Sequence, residues 1–197
     1  MKYEFSERPQ GFKTTWDMQY DIFNWSEFLI GLPTPLFLIT TNKENDMPNA
    51  CLNAWSTISG EGDGQFCIIG GIPSNSGHTI SDIKRNKEFC INFPSVEIWE
   101  ECKKTITNNK YEFDEISESG LTIEKAKEIS APRIKECFLN LECSLEWIKP
   151  LYEGSRTCII CGRIKYIAMD EEYFDDSKKG RYGDSGFLFN IHSPMNP

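Results

Sequence analysis

Apolar and polar positions along the chain alternate mostly with a period of two, so strands dominate the predicted elements. The clearest is CFLNLECSLEW, in which Cys137, Leu139, Leu141, Cys143, Leu145 and Trp147 share one face and mostly polar residues take the other. Thr157–Met169, TCIICGRIKYIAM, reads as a second long strand. Upstream, PLFLITT (Pro35–Thr41) reads as a buried strand, NKENDMP as a polar turn and NACLNAWSTIS (Asn49–Ser59) as the returning strand. Gln65–Ile72, EFCINF and GFLFNIH (Gly186–His192) complete the set. Helical patterns are short: Asn24–Leu32, ended by Pro33; Thr79–Arg85; Ser95–Asn108, with Ser95 as its cap; and one near Ile123–Glu128 within an irregular, charged segment.

Short turns join most neighbouring strands. The economical architecture is therefore mainly β with short helices, antiparallel strands closing into a barrel so that few edges stay exposed. The 197 residues, 39% of them hydrophobic, suit one domain spanning 1–197. A net charge of −9 argues against nucleic acid or an anionic membrane surface as partner. No apolar run approaches the roughly 20 residues of a membrane helix, and MKYEFSERPQ has no signal core, which leads us to expect a cytoplasmic protein. The eight cysteines then read as reduced thiols, most of them packed in strands.

Several motifs are weak. GEGDG (Gly60–Gly64) is followed by a strand rather than a helix, which makes it a hairpin loop rather than a dinucleotide loop. Cys158 and Cys161 lie three apart in a strand-like run, on opposite faces, and read as core rather than as a metal or dithiol pair. With two histidines, a multi-histidine centre within one chain is excluded.

Two stretches carry more. In SNSGHT, Ser76, His78 and Thr79 place polar side chains at the start of a helix, where unpaired amides favour a phosphate, and Gly77 allows close backbone approach. The alternative is a capping box of Thr79 with Asp82. In LNAWST, Asn53, Ser56 and Thr57 surround Trp55, as a flat heteroaromatic ligand would require; the alternative is a tryptophan that closes the barrel. A ligand with a planar ring and a phosphate, such as FMN, satisfies both stretches.

In order along the chain, PLFLITT with MPNACLNAWSTIS, HTISDIKRNKEFCINFPS, APRIKECFLNLEC and GRIKYI resemble segments of the flavin reductase-like family, and more narrowly its flavoredoxin-like branch, over a core of about 33–169. The resemblance implies a split β-barrel that binds FMN non-covalently. It also implies a homodimer with flavin near the interface, and NAD(P)H or a redox partner protein as the source or destination of electrons. By the same resemblance, Asn49, Asn53 and Trp55 contact the flavin, Ser56 and Thr57 line its ring or ribityl chain, and Ser76, His78 and Thr79 form the phosphate-side turn. Where many relatives carry a histidine, this chain has Arg156 in Gly154–Ser155–Arg156. A guanidinium there would stabilise an anionic reduced flavin rather than donate a proton. That departure leaves a non-catalytic flavin- or ligand-binding barrel as the alternative.

Overall fold

The alternating segments form strands largely where the pattern places them. The structure, a computed structural model, describes residues 1–2, 4–7, 10, 33–74, 77–174 and 189–191. In chain order the elements are β1 (Pro33–Pro35), β2 (Phe37–Asn42), β3 (Pro48–Asn53), β4 (Ser56–Glu61), β5 (Gly64–Pro73), α1 (Thr79–Asn86) and β6 (Glu88–Phe93). A 3-10 turn (Val96–Ile98), α2 (Trp99–Lys104), α3 (Glu115–Ser119), β7 (Ile123–Glu124) and β8 (Arg133–Ile134) follow. The chain ends in β9 (Leu139–Pro150), β10 (Thr157–Met169), a 3-10 turn (Glu171–Tyr173) and β11 (Phe189–Ile191).

The chain divides into two compact units. Met1–Thr34 with Phe189–Pro197 contains the pairing of β1 with β11. Pro35–Leu188 contains a seven-stranded sheet in the order β3-β2-β6-β9-β10-β5-β4, each neighbouring pair antiparallel. The strands β3 and β4 are consecutive in sequence yet sit at opposite edges, joined only by Ala54 and Trp55. Three Cα steps from Asn53 to Ser56 reach at most about 11 Å. Seven strands laid flat would separate the two edges by about 29 Å. The sheet therefore curls until its edges meet at this corner, which makes it a split barrel.

Inside the curl, Phe37, Ile39, Ile69, Phe89, Ile91 and Ile160 pack with Ile80 and Ile83 of α1. On the outside, Leu38, Ala50, Cys102, Ile116, Ile134 and Cys137 form a second core under α2 and α3. Strand β2 is thus covered on both faces, which is why Phe37, Leu38 and Ile39 form a continuous apolar run rather than an alternating pattern.

The structure corrects several expectations. The returning strand does not run unbroken from Asn49 to Ser59 but turns at Ala54–Trp55. The helix expected over Ser95–Asn108 is a 3-10 turn followed by the short α2, and Ser95 makes no side-chain cap bond. Ile123–Glu124 is a strand paired with Arg133–Ile134 rather than helix; the helix of this segment is α3, capped by the Asp114 carboxylate on Ile116 N and Ser117 N. The polar face of β9 faces solvent only toward its end: Asn140 and Glu142 are buried, while Ser144 is half-buried and Glu146 exposed. Glu142 accepts from the amides of Lys127 and Glu128 and from the Arg133 guanidinium. Asn140 shares the Asn92 carbonyl oxygen with Ile134 N. Asn24–Leu32 and part of Gly186–His192 lie outside the described residues; Phe189–Ile191 is a strand.

Candidate functional site

The two sheet edges come together at the corner between β3 and β4. Asn53 builds it: its Oδ1 accepts from the amides of Ala54 (2.7 Å) and Trp55 (3.0 Å), a local turn that bends β3 away from its course. The Trp55 carbonyl accepts from Gly70 N at 2.9 Å. The indole lies on Gly71, where a Cβ would fall 2.0 Å from ring atom Cε3. Gly71 also has φ +76, so both the close approach and the backbone require glycine there. Ser56, half-buried, and Thr57, exposed, open the edge strand β4 opposite Ile69 and Ile68.

From Gly71, β5 runs directly to the turn before α1. Both the amide and the hydroxyl of Ser74 donate to the Arg156 carbonyl, at 2.7 and 2.9 Å. Arg156 thereby anchors the turn through its backbone. Its side chain is exposed and has no hydrogen-bond or ion-pair partner among the described residues. Gly77 has φ +77. His78 stands at the cap position of α1 without a side-chain cap bond, its Nε2 3.1 Å from the Asn109 carbonyl and its ring edge-on to Tyr111. Ser76 lies outside the described residues.

The capping box of Thr79 and Asp82, the alternative reading of this turn, does not form. Thr79 is the first residue of the helix rather than its cap, and it is buried, its hydroxyl accepting from Asn49 Nδ2 at 3.3 Å. The Asp82 carboxylate instead accepts from Thr41 Oγ1 (3.0 Å) and from Arg85 (2.8 Å). The first intrahelical bond runs from Asp82 N to His78 O, so the amides of Thr79, Ile80 and Ser81 have no acceptor within the helix.

Along β3, Asn49, Cys51 and Asn53 share the face toward α1, while Ala50 and Leu52 pack into the outer core. Asn49 is buried and spends its amide hydrogens on Thr41 and Thr79, which makes it a support for the helix start. Cys51 is the one cysteine of the eight that is not buried. Its thiol pKa is pushed up by desolvation, opposed by the Thr79 hydroxyl.

The structure therefore brings the two sequence stretches together through their neighbours: Asn49, on the strand before LNAWST, meets Thr79, and the Trp55 corner and the Thr79 turn lie at the two ends of one short path through Gly71 and Ser74. Sequence reasoning missed Gly71, Ser74, Cys51 and Asn109. The paired glycines inside an apolar strand were a usable signal for close backbone approach; the Ser74–Arg156 and His78–Asn109 contacts have no local signature. An open groove of about 430 Å³ lies elsewhere, lined by Asn42, Pro48, Ile123 and Pro132 among others. Asn42 and Pro48 alternate with Thr41 and Asn49, so the groove is on the opposite face of this strand pair and takes no part in the corner.

The side chains at the corner are amides, hydroxyls, an indole and an exposed guanidinium, groups suited to binding and orienting a flat, anionic molecule. The profile of the flavin reductase like domain matches residues 29–185. A split-barrel protein from Shewanella frigidimarina superposes with a TM-score of 0.73 at 19% identity, covering 83% of this chain and 82% of that one. Flavoredoxin from Methanosarcina acetivorans gives 0.67 at 22%, with coverage of 80% and 79%. The Bacillus subtilis protein YdfE is 29% identical over 167 residues, 74% of this chain and 77% of its own. At these identities the structural likeness is one of fold.

Proposed function

We propose, from the premise that the chain belongs to the flavin reductase-like family, that this flavin-linked oxidoreductase holds FMN non-covalently at the Asn53–Trp55 corner. The observation that carries the reading is the continuity of β5, which runs from the Trp55–Gly71 contact to the Ser74 anchor and the unpaired amides of α1. The donor set fits the group. The indole over Gly71 offers a flat wall, Asn53 keeps Nδ2 for a ring-edge acceptor, and the start of α1 favours a phosphate.

Bound flavin would supply the hydride and electron transfer. The chain's own residues would bind, orient and set charge. Asn53 and Gly71 fix the plane of Trp55, Asn49 fixes the start of α1 through Thr79, and Ser74 ties the turn to the strand that follows Arg156. The exposed Arg156 guanidinium, a permanent cation, would favour an anionic reduced ring. Ser56, Thr57, Ser76 and His78 would complete the lining.

A homodimer with flavin near its interface follows as part of the same reading. Among the described residues edge strand β4 pairs on one side only and exposes Ile58, and the connection carrying Arg156 exposes Leu151 and Tyr152. Eight free cysteines suit a reducing, cytoplasmic setting, and the charge of −9 suits a basic redox partner. No helix among the described residues is long and apolar enough to cross a membrane.

The test is an FMN titration followed by visible absorption, then stopped-flow mixing with NADH or NADPH. Flavin bands retained through gel filtration and bleached by either nicotinamide support a reductase. Retained bands that neither bleaches support the flavoredoxin-like carrier. No spectral shift on adding FMN removes the proposal.

A further inference from the structure

Lys43, the residue after β2, is fully buried, and its ammonium meets three acceptors: the Lys110 carbonyl at 3.3 Å, the Phe113 carbonyl, and Glu115 Oε1 at 2.8 Å. All its hydrogens are thereby used. Burying an ammonium costs several kcal/mol, and a well-packed apolar residue is often as good for stability alone. The three acceptors lie along one loop and the first residue of α3, after Asn109. That loop is the one that holds the turn before α1: the Asn109 carbonyl takes His78 Nε2, the Asn109 carboxamide lies 3.6 Å from where a Gly77 Cβ would be, and Tyr111 stacks edge-on against the His78 ring. A further bond from Asn45 Nδ2 to the Tyr111 carbonyl, 3.4 Å, ties the loop to the β2–β3 hairpin.

We propose that Lys43 is a positioning residue for the anion end of the site: it fixes the Asn109–Phe113 loop, and the loop fixes Gly77 and His78 at the start of α1. The inference rests on the flavin reading above and adds a residue remote from the flavin. It predicts an effect on phosphate recognition, separate from recognition of the ring. Lys43 touches nothing at the Trp55 corner, so the ring wall should not register its loss.

FMN and riboflavin differ only in the phosphate, and quenching of their fluorescence gives each dissociation constant. We compare the wild-type chain with Lys43→Met and Tyr111→Ala, checking each by circular dichroism and thermal melting. The expected result is a wild-type preference for FMN, and variants that lose about tenfold in FMN affinity while riboflavin stays within about twofold. Equal losses for the two ligands would mean a merely structural role and overturn the proposal, as would unchanged affinities in folded variants. Should Lys43→Met fail to fold, Tyr111→Ala decides, because Tyr111 is half-exposed and its ring leaves the buried ion pair intact. A wild-type chain that binds both flavins equally overturns this inference and leaves the flavin reading standing. One that binds neither overturns that reading as well.

Discussion

Replacing Gly71 by alanine tests the geometry of the corner directly. The added methyl would sit 2.0 Å from Cε3 and 2.4 Å from Cζ3 of Trp55. Carbon atoms in contact need about 3.5 Å, so the indole must retreat by about 1.5 Å. Two costs add. A non-glycine residue at φ +76 costs about 1–2 kcal/mol. Forcing the ring aside costs about 1–3 kcal/mol as overpacking. Gly71→Ala should therefore destabilise the protein by about 2–5 kcal/mol in urea unfolding followed by circular dichroism. In a Trp55→Ala background only the backbone cost remains, about 1–2 kcal/mol, leaving a coupling of about 1–3 kcal/mol between the two sites. Equal costs in the two backgrounds would refute the packing of the indole on Gly71. Flavin titration of the folded variant gives the functional half. If Trp55 is the ring wall, its displacement weakens FMN binding, and an unchanged dissociation constant would remove it from that role.

Three more outcomes are expected. Burial opposes ionisation of Glu142, but the amides of Lys127 and Glu128 and the Arg133 guanidinium outweigh it and hold the carboxyl below its ordinary 4.5. A depressed folded value contributes stability that is present above the unfolded value and lost as pH falls through the folded one, so unfolding free energy should drop below about pH 4.5. Glu142→Gln should flatten that slope and cost about 3 kcal/mol at pH 7, measured by denaturation at each pH; an unaltered slope would assign the effect to other groups. At pH 8 the native protein should react with a thiol reagent at Cys51 alone, since the other seven cysteines are buried and desolvation pushes Cys102, for one, up to about 12; all eight should react in denaturant. Arg156→Ala should lower the midpoint potential of bound flavin in a dye-coupled titration, and an unchanged potential would confine Arg156 to its backbone bond with Ser74.

Much of the barrel was legible in the chain. The period of two in CFLNLECSLEW and the long run TCIICGRIKYIAM mark β9 and β10 because each residue's face is set by its own backbone. What the pattern misread was exposure. Asn140 and Glu142 look like a wetted face, yet a second layer, the segment through Lys127 and Arg133, covers them and meets their polarity with hydrogen bonds. The helix expected near Ile123 failed for a similar reason, since Ile123–Glu124 find a strand partner in Arg133–Ile134 that local propensity cannot foresee.

The sequence alone determined the long strands β9 and β10, the short α1 and the polar character of LNAWST and SNSGHT, because these follow from residues close together in the chain. Only the tertiary structure decided what those polar residues do. Thr79 looks like a cap in sequence, but folding buries it against Asn49, thirty positions away, and hands Asp82 to Thr41 and Arg85. Trp55 looks like the interior of a strand, but a sheet whose first and last strands are β3 and β4 must fold over between them, and Asn53 makes that bend. Closure of the sheet is a non-local event, and only closure brings its two edges, β3 and β4, to one corner.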